Sequence, residues 1–171
     1  MITRPREQAG EFTALLRAEG ARVLHFPTIE IVPADDWRDL DRAISAIEDY
    51  HWLIFTSANG VGHFFQRLRD LGKDLRDLKG IRICAIGPAT AGAVQDRGLK
   101  VDLVPASFIS EGVIEAFQRE NIKGSRILLP RAEVARDVIP AELKKLGATV
   151  DVVTVYRTVS SGRQKSELEA W

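Results

Sequence analysis

Apolar runs of four to six residues alternate along this chain with longer amphipathic segments, and most of the longer segments close on a glycine. Glycine at that point suits the left-handed residue that ends a helix, so the pattern predicts a series of strand-helix units. Arg6 to Glu19 sets Phe12, Leu15 and Leu16 on one helical face before Gly20, and Arg22 to Phe26 follows as a strand. Further helices are expected from near Asp36, over Asn59 to Leu71 before Gly72, Ala89 to Arg97 before Gly98, and Val134 to Leu146 before Gly147. The runs Trp52 to Phe55, Ile81 to Ile86, Val101 to Val104, Arg126 to Leu129 and Val150 to Val155 are almost continuously apolar. Strands of that kind are covered on both faces, which predicts an α/β protein with a parallel sheet between helices.

An internal echo points to two lobes. Leu16, Gly20, Ala21 and Val23 reappear as Leu143, Gly147, Ala148 and Val150 with every spacing kept, and Arg4 beside Pro5 matches Arg131 beside Pro130 at the same offset of 127 residues. The extended stretches FPTIEIVP and VVTVYRT flank the block between them and read as a two-stranded connector. The expected organisation is therefore a partial first lobe over 1–27, a connector strand over 28–34, a complete inserted lobe over 35–154, a returning connector over 155–160, and the start of the first lobe's second half over 161–171. A first strand of only Met1 and Ile2 before Thr3-Arg4-Pro5, and a helix from Gln164 that stops at Trp171, give the first lobe the look of a clipped piece. An uncovered apolar sheet edge and face there lead to the expectation that the fragment self-associates or is disordered at its termini.

Composition narrows the class. With 171 residues and 45% hydrophobic side chains, the chain is long enough for one good core and has the balance of a globular protein. Lys plus Arg and Asp plus Glu both number 24, so the basic signature of a nucleic-acid or anionic-membrane binder is missing. The single cysteine, Cys84, sits in the apolar run IRICAI as a small buried hydrophobe. No secretory leader or apolar stretch of membrane-spanning length is recognised, and a cytoplasmic protein is expected.

Chemistry in an open parallel sheet belongs beyond the carboxyl ends of the strands. In FTSANGV, Thr56, Ser57, Asn59 and Gly60 either cap the next helix or present hydroxyls and free amides to an anion. In IGPATAG, Gly87 makes the turn and Thr90 enters the first helical turn, while the glycine fingerprint of dinucleotide sites and the Lys-Ser/Thr pair of a P-loop are both missing. Ser110 stands ahead of a helix start as cap or ligand. In LLPRAEVAR, Arg131 lies just past a strand end, free to clamp a carboxylate or to sit in solvent, with Arg136 about one turn into the next helix. Thr3 and Arg4 repeat that chemistry in the first lobe. Tyr156 closes the VVTVY strand, where it either packs or turns its phenol towards a cleft. His25, His51 and His63 have no metal-ligand spacing and read as structural. A receiver module is disfavoured because the strand ends read TSAN, GPAT and PRAE in place of acidic residues, and a nucleotide-dependent Rossmann enzyme by the missing fingerprint.

The succession TRP, FTSANGV, AIGPATA, ILLPRAEVARDVIPAEL and GATVDVVTVYRT resembles uroporphyrinogen-III synthases along essentially the whole chain. The resemblance implies two flavodoxin-like lobes, the second inserted into the first and complete, the first only partly present, joined by a two-stranded β connector. It implies conversion of the polyanionic linear tetrapyrrole hydroxymethylbilane to uroporphyrinogen III with loss of water and inversion of the last ring, without metal or organic cofactor. By the same resemblance, Ser57 and Thr90 line the cleft, Tyr156 assists departure of the hydroxyl, and the native enzyme is a monomer, in some chains fused to another tetrapyrrole enzyme. The family's further half-lobe does not follow Trp171, which leaves activity of this piece by itself in doubt.

Overall fold

The computed structural model describes residues 1–5 and 8–162. By contact density the chain divides into unit 1, Met1–Val32 with Arg157–Trp171, and unit 2, Pro33–Tyr156. Unit 2 holds helices α2 (Arg38–Ser45), α3 (Ala58–Asp70), α4 (Pro88–Gln95), α5 (Ser110–Gln118) and α6 (Val138–Lys145), with strands β2 (Trp52–Phe55), β3 (Arg82–Ala85) and β4 (Arg126–Ala132). Helix α1 (Gly10–Ala18) and most of β1 (Ile29–Pro33) belong to unit 1, and β5 (Thr149–Ser160) runs from unit 2 into unit 1. The sheet order is β1-β5-β4-β2-β3, and β2/β3, β2/β4 and β4/β5 are parallel. The α/β class with a parallel sheet thus stands as expected from the apolar runs.

Alternation along β2 explains why two helical layers are needed. Trp52 and Ile54 join Val113 and Phe117 of α5 and Ile139 and Leu143 of α6 in one core. Trp52 meets Phe117 edge-on at 4.8 Å. The opposite face carries Leu53 and Phe55, and Phe55 packs 5.5 Å from Phe64 and 5.9 Å from Phe65 of α3. Cys84 on β3 is fully buried in the first of these cores, and burial pushes its thiol up to about 12.

The 127-residue echo has a counterpart in three dimensions within each unit. Ile2 bridges His25 in parallel in unit 1, and Leu129 pairs with Val152 in β4/β5 of unit 2, each member displaced by that offset. Gly20 and Gly147 end the intervening helices with φ of 79° and 90°, the left-handed region where a side chain would be strained. Ala21 N-H bonds to Leu16 O and Ala148 N-H to Leu143 O in the same closing turn.

Several expected elements come out differently. Val101 to Val104 contributes only a bridge from Leu103 to Cys84, because the Asp102 carboxylate takes the Ile83 N-H at 2.8 Å and Pro105 has no N-H to continue a ladder. Arg22 to Phe26 likewise reduces to the His25 bridge. Helix α6 begins at Val138, four residues later than expected. A helix from Val134 would have buried Pro140 in its interior, where the ring clashes with the preceding turn, whereas the observed start leaves Pro140 in the first turn. Phe12 and Leu15, expected as a packing face, are 48% and 60% exposed, while Ala9 and Thr13 are buried. The helix expected from Gln164 lies outside the described residues.

Two glycines separate conformational cost from packing need. A Cβ at Gly92 in α4 meets nothing within 4 Å, whereas one at Gly112 in α5 would stand 2.0 Å from Ser107 O. Gly92→Ala is expected to raise stability by about 0.5–1 kcal/mol, and Gly112→Ala to lower it by about 2–3 kcal/mol. Urea unfolding of the two variants checks this, and indistinguishable midpoints would count against the packing described. Cys84 should react with a disulfide reagent at pH 8 at least about a hundredfold more slowly than free cysteine, rising to the free rate in denaturant. Fast labelling of the folded protein would contradict its place in the core.

Candidate functional site

Within unit 2, β3 and the Leu103 bridge step away from β2 on one side, while β4 and β5 lie on the other. The winding therefore reverses between β2 and β4. At such a point the crossover connections leave a crevice beyond the carboxyl ends of the strands. The residues following β2, the last residues of β4, and Tyr156 on β5 are placed there by the strand register.

Ser57 is the N-cap of α3, with extended backbone, and its Oγ accepts the Gly60 N-H at 3.0 Å. The same Oγ lies 3.1 Å from the Tyr156 hydroxyl. Cap and candidate ligand are thus one residue. Because Oγ already accepts the amide, its own hydrogen is available to Tyr156, which leaves the phenolic hydrogen for a further acceptor. With the opposite polarity Tyr156 donates to Ser57, and the serine hydrogen is the one left over. Either way the pair ends in one undelivered O-H. A Cβ at Gly60 would come within 3.2 Å of Ser57 Oγ and 3.4 Å of Pro130 O, so glycine keeps the hydroxyl in place and lets α3 approach β4.

Tyr156 is buried, with its carbonyl accepting Glu133 N-H at 3.0 Å. Its ring stacks on His63 of α3, centroids 5.8 Å apart and planes at 19°. Sequence reading had no means of finding His63 here, because only the tertiary crossing of α3 and β5 brings it to Tyr156. Burial lowers the His63 imidazole below its ordinary value, which keeps it neutral at pH 7.

The other candidates divide. Thr56, Ser110 and Arg131 line one hollow of about 90 Å³ with Ile86 and Arg136. Arg131 lies inside β4, not past its end, and its guanidinium is committed to the Arg136 carbonyl at 2.9 Å and the Asp137 carboxylate at 2.5 Å. Ser110 is the first residue of α5, whose cap position is Ile109, and it accepts a long 3.4 Å contact from Arg136. Arg136 precedes α6 instead of lying within it, and also faces Glu111 at 3.7 Å. Gly87 is extended at the start of α4, and the space a Cβ would need is taken by the Phe108 ring at 3.1 Å. Thr90 is buried in the first turn of α4, and Asn59 half-buried in that of α3. Thr3 and Arg4 belong to unit 1, where they border a hollow with Ile2 and Phe12.

Two larger hollows of unit 2, about 450 and 360 Å³, lie among Tyr50, Arg126 and Asp151 and among His51, Trp52 and Arg82. They sit by the starts of β2, β3 and β4 and contain none of the convergent hydroxyls, so size is a poorer guide here than the winding of the sheet. Among the described residues no group of three His, Cys, Asp or Glu side chains could hold a metal ion, and no helix is long and apolar enough to cross a membrane.

Comparison with known proteins agrees with the fold and extends it. Residues 10–171 match the family model described as uroporphyrinogen-III synthase HemD. The uroporphyrinogen-III synthase of Synechococcus elongatus is 40% identical over 159 residues, covering 92% of this chain and 60% of that protein. A putative uroporphyrinogen-III synthase of Methanothermobacter thermautotrophicus is 35% identical, with 92% of this chain and 61% of the relative covered. The chain thus spans about 60% of the length of these relatives. The solved wild-type uroporphyrinogen III synthase of Thermus thermophilus superposes with a TM-score of 0.63 at 23% identity, covering 91% of this chain and 60% of that one. The Helicobacter pylori enzyme gives 0.54 at 21% identity, over 88% and 64%. With the family model matched over nearly the whole length, this chain belongs to the uroporphyrinogen-III synthase family.

Proposed function

We propose that the protein carrying this chain converts hydroxymethylbilane to uroporphyrinogen III, and that unit 2 supplies the hydroxyl pair that assists the first step. The observation that carries this reading is the Ser57-Tyr156 hydrogen bond of 3.1 Å at the carboxyl ends of β2 and β4, beside which β5 runs on to Ser160, in a chain of this family. Pushed by the pyrrole nitrogen of ring A, the hydroxyl leaves together with a proton drawn from solvent as water, and an azafulvene cation remains; the matching proton is released to solvent when the macrocycle closes. A positioned O-H stabilises charge as it develops on the departing oxygen. Ring D then attacks through its substituted carbon to give a spiro-pyrrolenine, which fragments and recloses with ring D inverted. Most of that sequence asks for folding and orientation of a flexible polyanion, which positioning groups can supply.

In this proposal Tyr156 is catalytic, while Thr56, Ser57, Asn59, Gly60, Gly87, Thr90 and Ser110 bind or shape the substrate. Arg131 acts by holding the loop before α6, since its guanidinium already serves Asp137. Thr3 and Arg4 of unit 1 are retained as substrate ligands on their chemistry, a hydroxyl and a guanidinium bordering one hollow. We further read unit 2 as a flavodoxin-like lobe. In chain order its strands β2, β3, the Leu103 segment, β4 and β5 lie as 5-4-1-2-3, which is the flavodoxin order 2-1-3-4-5 circularly permuted so that β4 and β5 take the places of strands one and two. A monomeric, cytoplasmic enzyme needing no added cofactor completes the proposal.

The direct test is to incubate the intact protein with hydroxymethylbilane and resolve the product isomers, since spontaneous closure gives isomer I and the proposed reaction gives III. Isomer I alone would end the proposal. Tyr156→Phe in the intact protein should lower kcat by roughly 10²-fold with little change in KM, as for loss of a donor used in the transition state. Thr90→Ala should be milder and act mainly on KM, while Ser57→Ala, which removes the anchor of the Tyr156 oxygen, should lower kcat as well but by less than Tyr156→Phe. A Tyr156→Phe enzyme with wild-type turnover would instead assign the reaction to substrate conformation alone.

A further inference from the structure

The Ser57 hydroxyl anchors the oxygen of Tyr156, yet it does not determine the plane of the ring. Rotation of a phenol about its own long axis leaves the oxygen where it is, and this torsion is broad for tyrosine. The phenolic hydrogen lies close to the ring plane, because the oxygen lone pair conjugates with the ring. The plane therefore decides where that hydrogen points.

His63 is the group that addresses this torsion. Its ring lies nearly parallel to that of Tyr156, at 19° and 5.8 Å. It stands on α3 six residues after Ser57, so one helix holds both the anchor for the oxygen and the face for the ring. Neighbouring Phe64 and Phe65 are fully buried and hold that helix against β2 through Phe55, which leaves His63 no freedom to move as part of the backbone. Burial also keeps the imidazole neutral, and a neutral ring stacks without placing a charge beside the phenol. We propose that His63 is a positioning residue, stacked on Tyr156 so that the phenol directs its O-H away from Ser57 towards the reacting oxygen of the bound tetrapyrrole. The inference rests on the catalytic reading of Tyr156 given above.

Two measurements test it. By NMR of the 171-residue chain, the imidazole C-H resonances of His63 should be shifted upfield by the Tyr156 ring current and should return towards free-histidine values in Tyr156→Leu. No such shift would overturn the stacking on which the proposal stands. In the intact protein, His63→Leu, which fills similar space without a flat face, should lower kcat roughly tenfold with KM nearly unchanged, the size expected of a modest misplacement of a reacting group. His63→Phe, which restores a stackable ring, should recover most of that loss. On a Tyr156→Phe background the His63→Leu substitution should cost nothing further in kcat, because the hydroxyl it aims is gone. A His63→Leu loss that persists on that background, or a His63→Leu enzyme with wild-type kcat, would overturn the proposal while leaving a catalytic Tyr156 standing. Wild-type turnover in Tyr156→Phe alone would instead remove the reading beneath it.

Discussion

Pairing of β2 with β3 on one side and β4 on the other is the constraint from which the rest of unit 2 follows. All four residues of β2 are buried, so both of its faces must be covered. Trp52 and Ile54 take α5 and α6, while Phe55 takes α3. Each large apolar side chain buried in this way contributes about 1.5–3 kcal/mol, which no surface ion pair of the unit approaches. A strand that is central in space and first in its unit also forces the winding to reverse beside it. The crevice beyond its carboxyl end is thus a product of the same burial that holds the unit together.

That crevice is furnished economically. Helix α3 has to begin where β2 ends, and a helix start needs an acceptor for its free amides. Ser57 meets that need with Gly60 N-H and also bonds to the Tyr156 hydroxyl, so one side chain serves the helix cap and the tie to β5. Gly60 and Gly87 work in the same direction by omission. At neither position is a left-handed backbone involved; the missing side chains leave room for Pro130 and Ser57 in one case and for Phe108 in the other. The polar residues around the other loops are held by one another. Arg131 pairs with Asp137 and Arg136 faces Glu111 beside the loop before α6, and of the four only Arg131 is well shielded from solvent.

Much of this was legible in the sequence because it depends on local chemistry. The continuous apolar run of Trp52 to Phe55, the Ser-x-x-Gly step after it and the Gly-Pro opening of α4 each carry their structural meaning within a few residues. The 127-residue echo was also visible, and its paired bridges, Ile2 with His25 and Leu129 with Val152, repeat it in space. Misreadings arose where an apolar or periodic segment competed with one polar side chain or one proline. Asp102 took a ladder amide from what read as a strand, and Pro140 shortened what read as a longer helix.

By itself the sequence determined the α/β class, the places of β2, β3, β4 and β5 along the chain, the helix ends at Gly20 and Gly147, and the hydroxyl-bearing turns from which the candidate site is drawn. Those properties rest on backbone preferences and on hydrophobic period, which act over a turn or two. Only the tertiary structure decided which turns meet. Ser57 and Tyr156 are 99 residues apart and share a hydrogen bond because β5 lies across β4 from β2. His63 joins them through the packing of α3, and Arg131 is claimed by Asp137 before any ligand arrives. Such contacts depend on the spatial order of strands, which the burial of both sheet faces selects globally and no local pattern encodes.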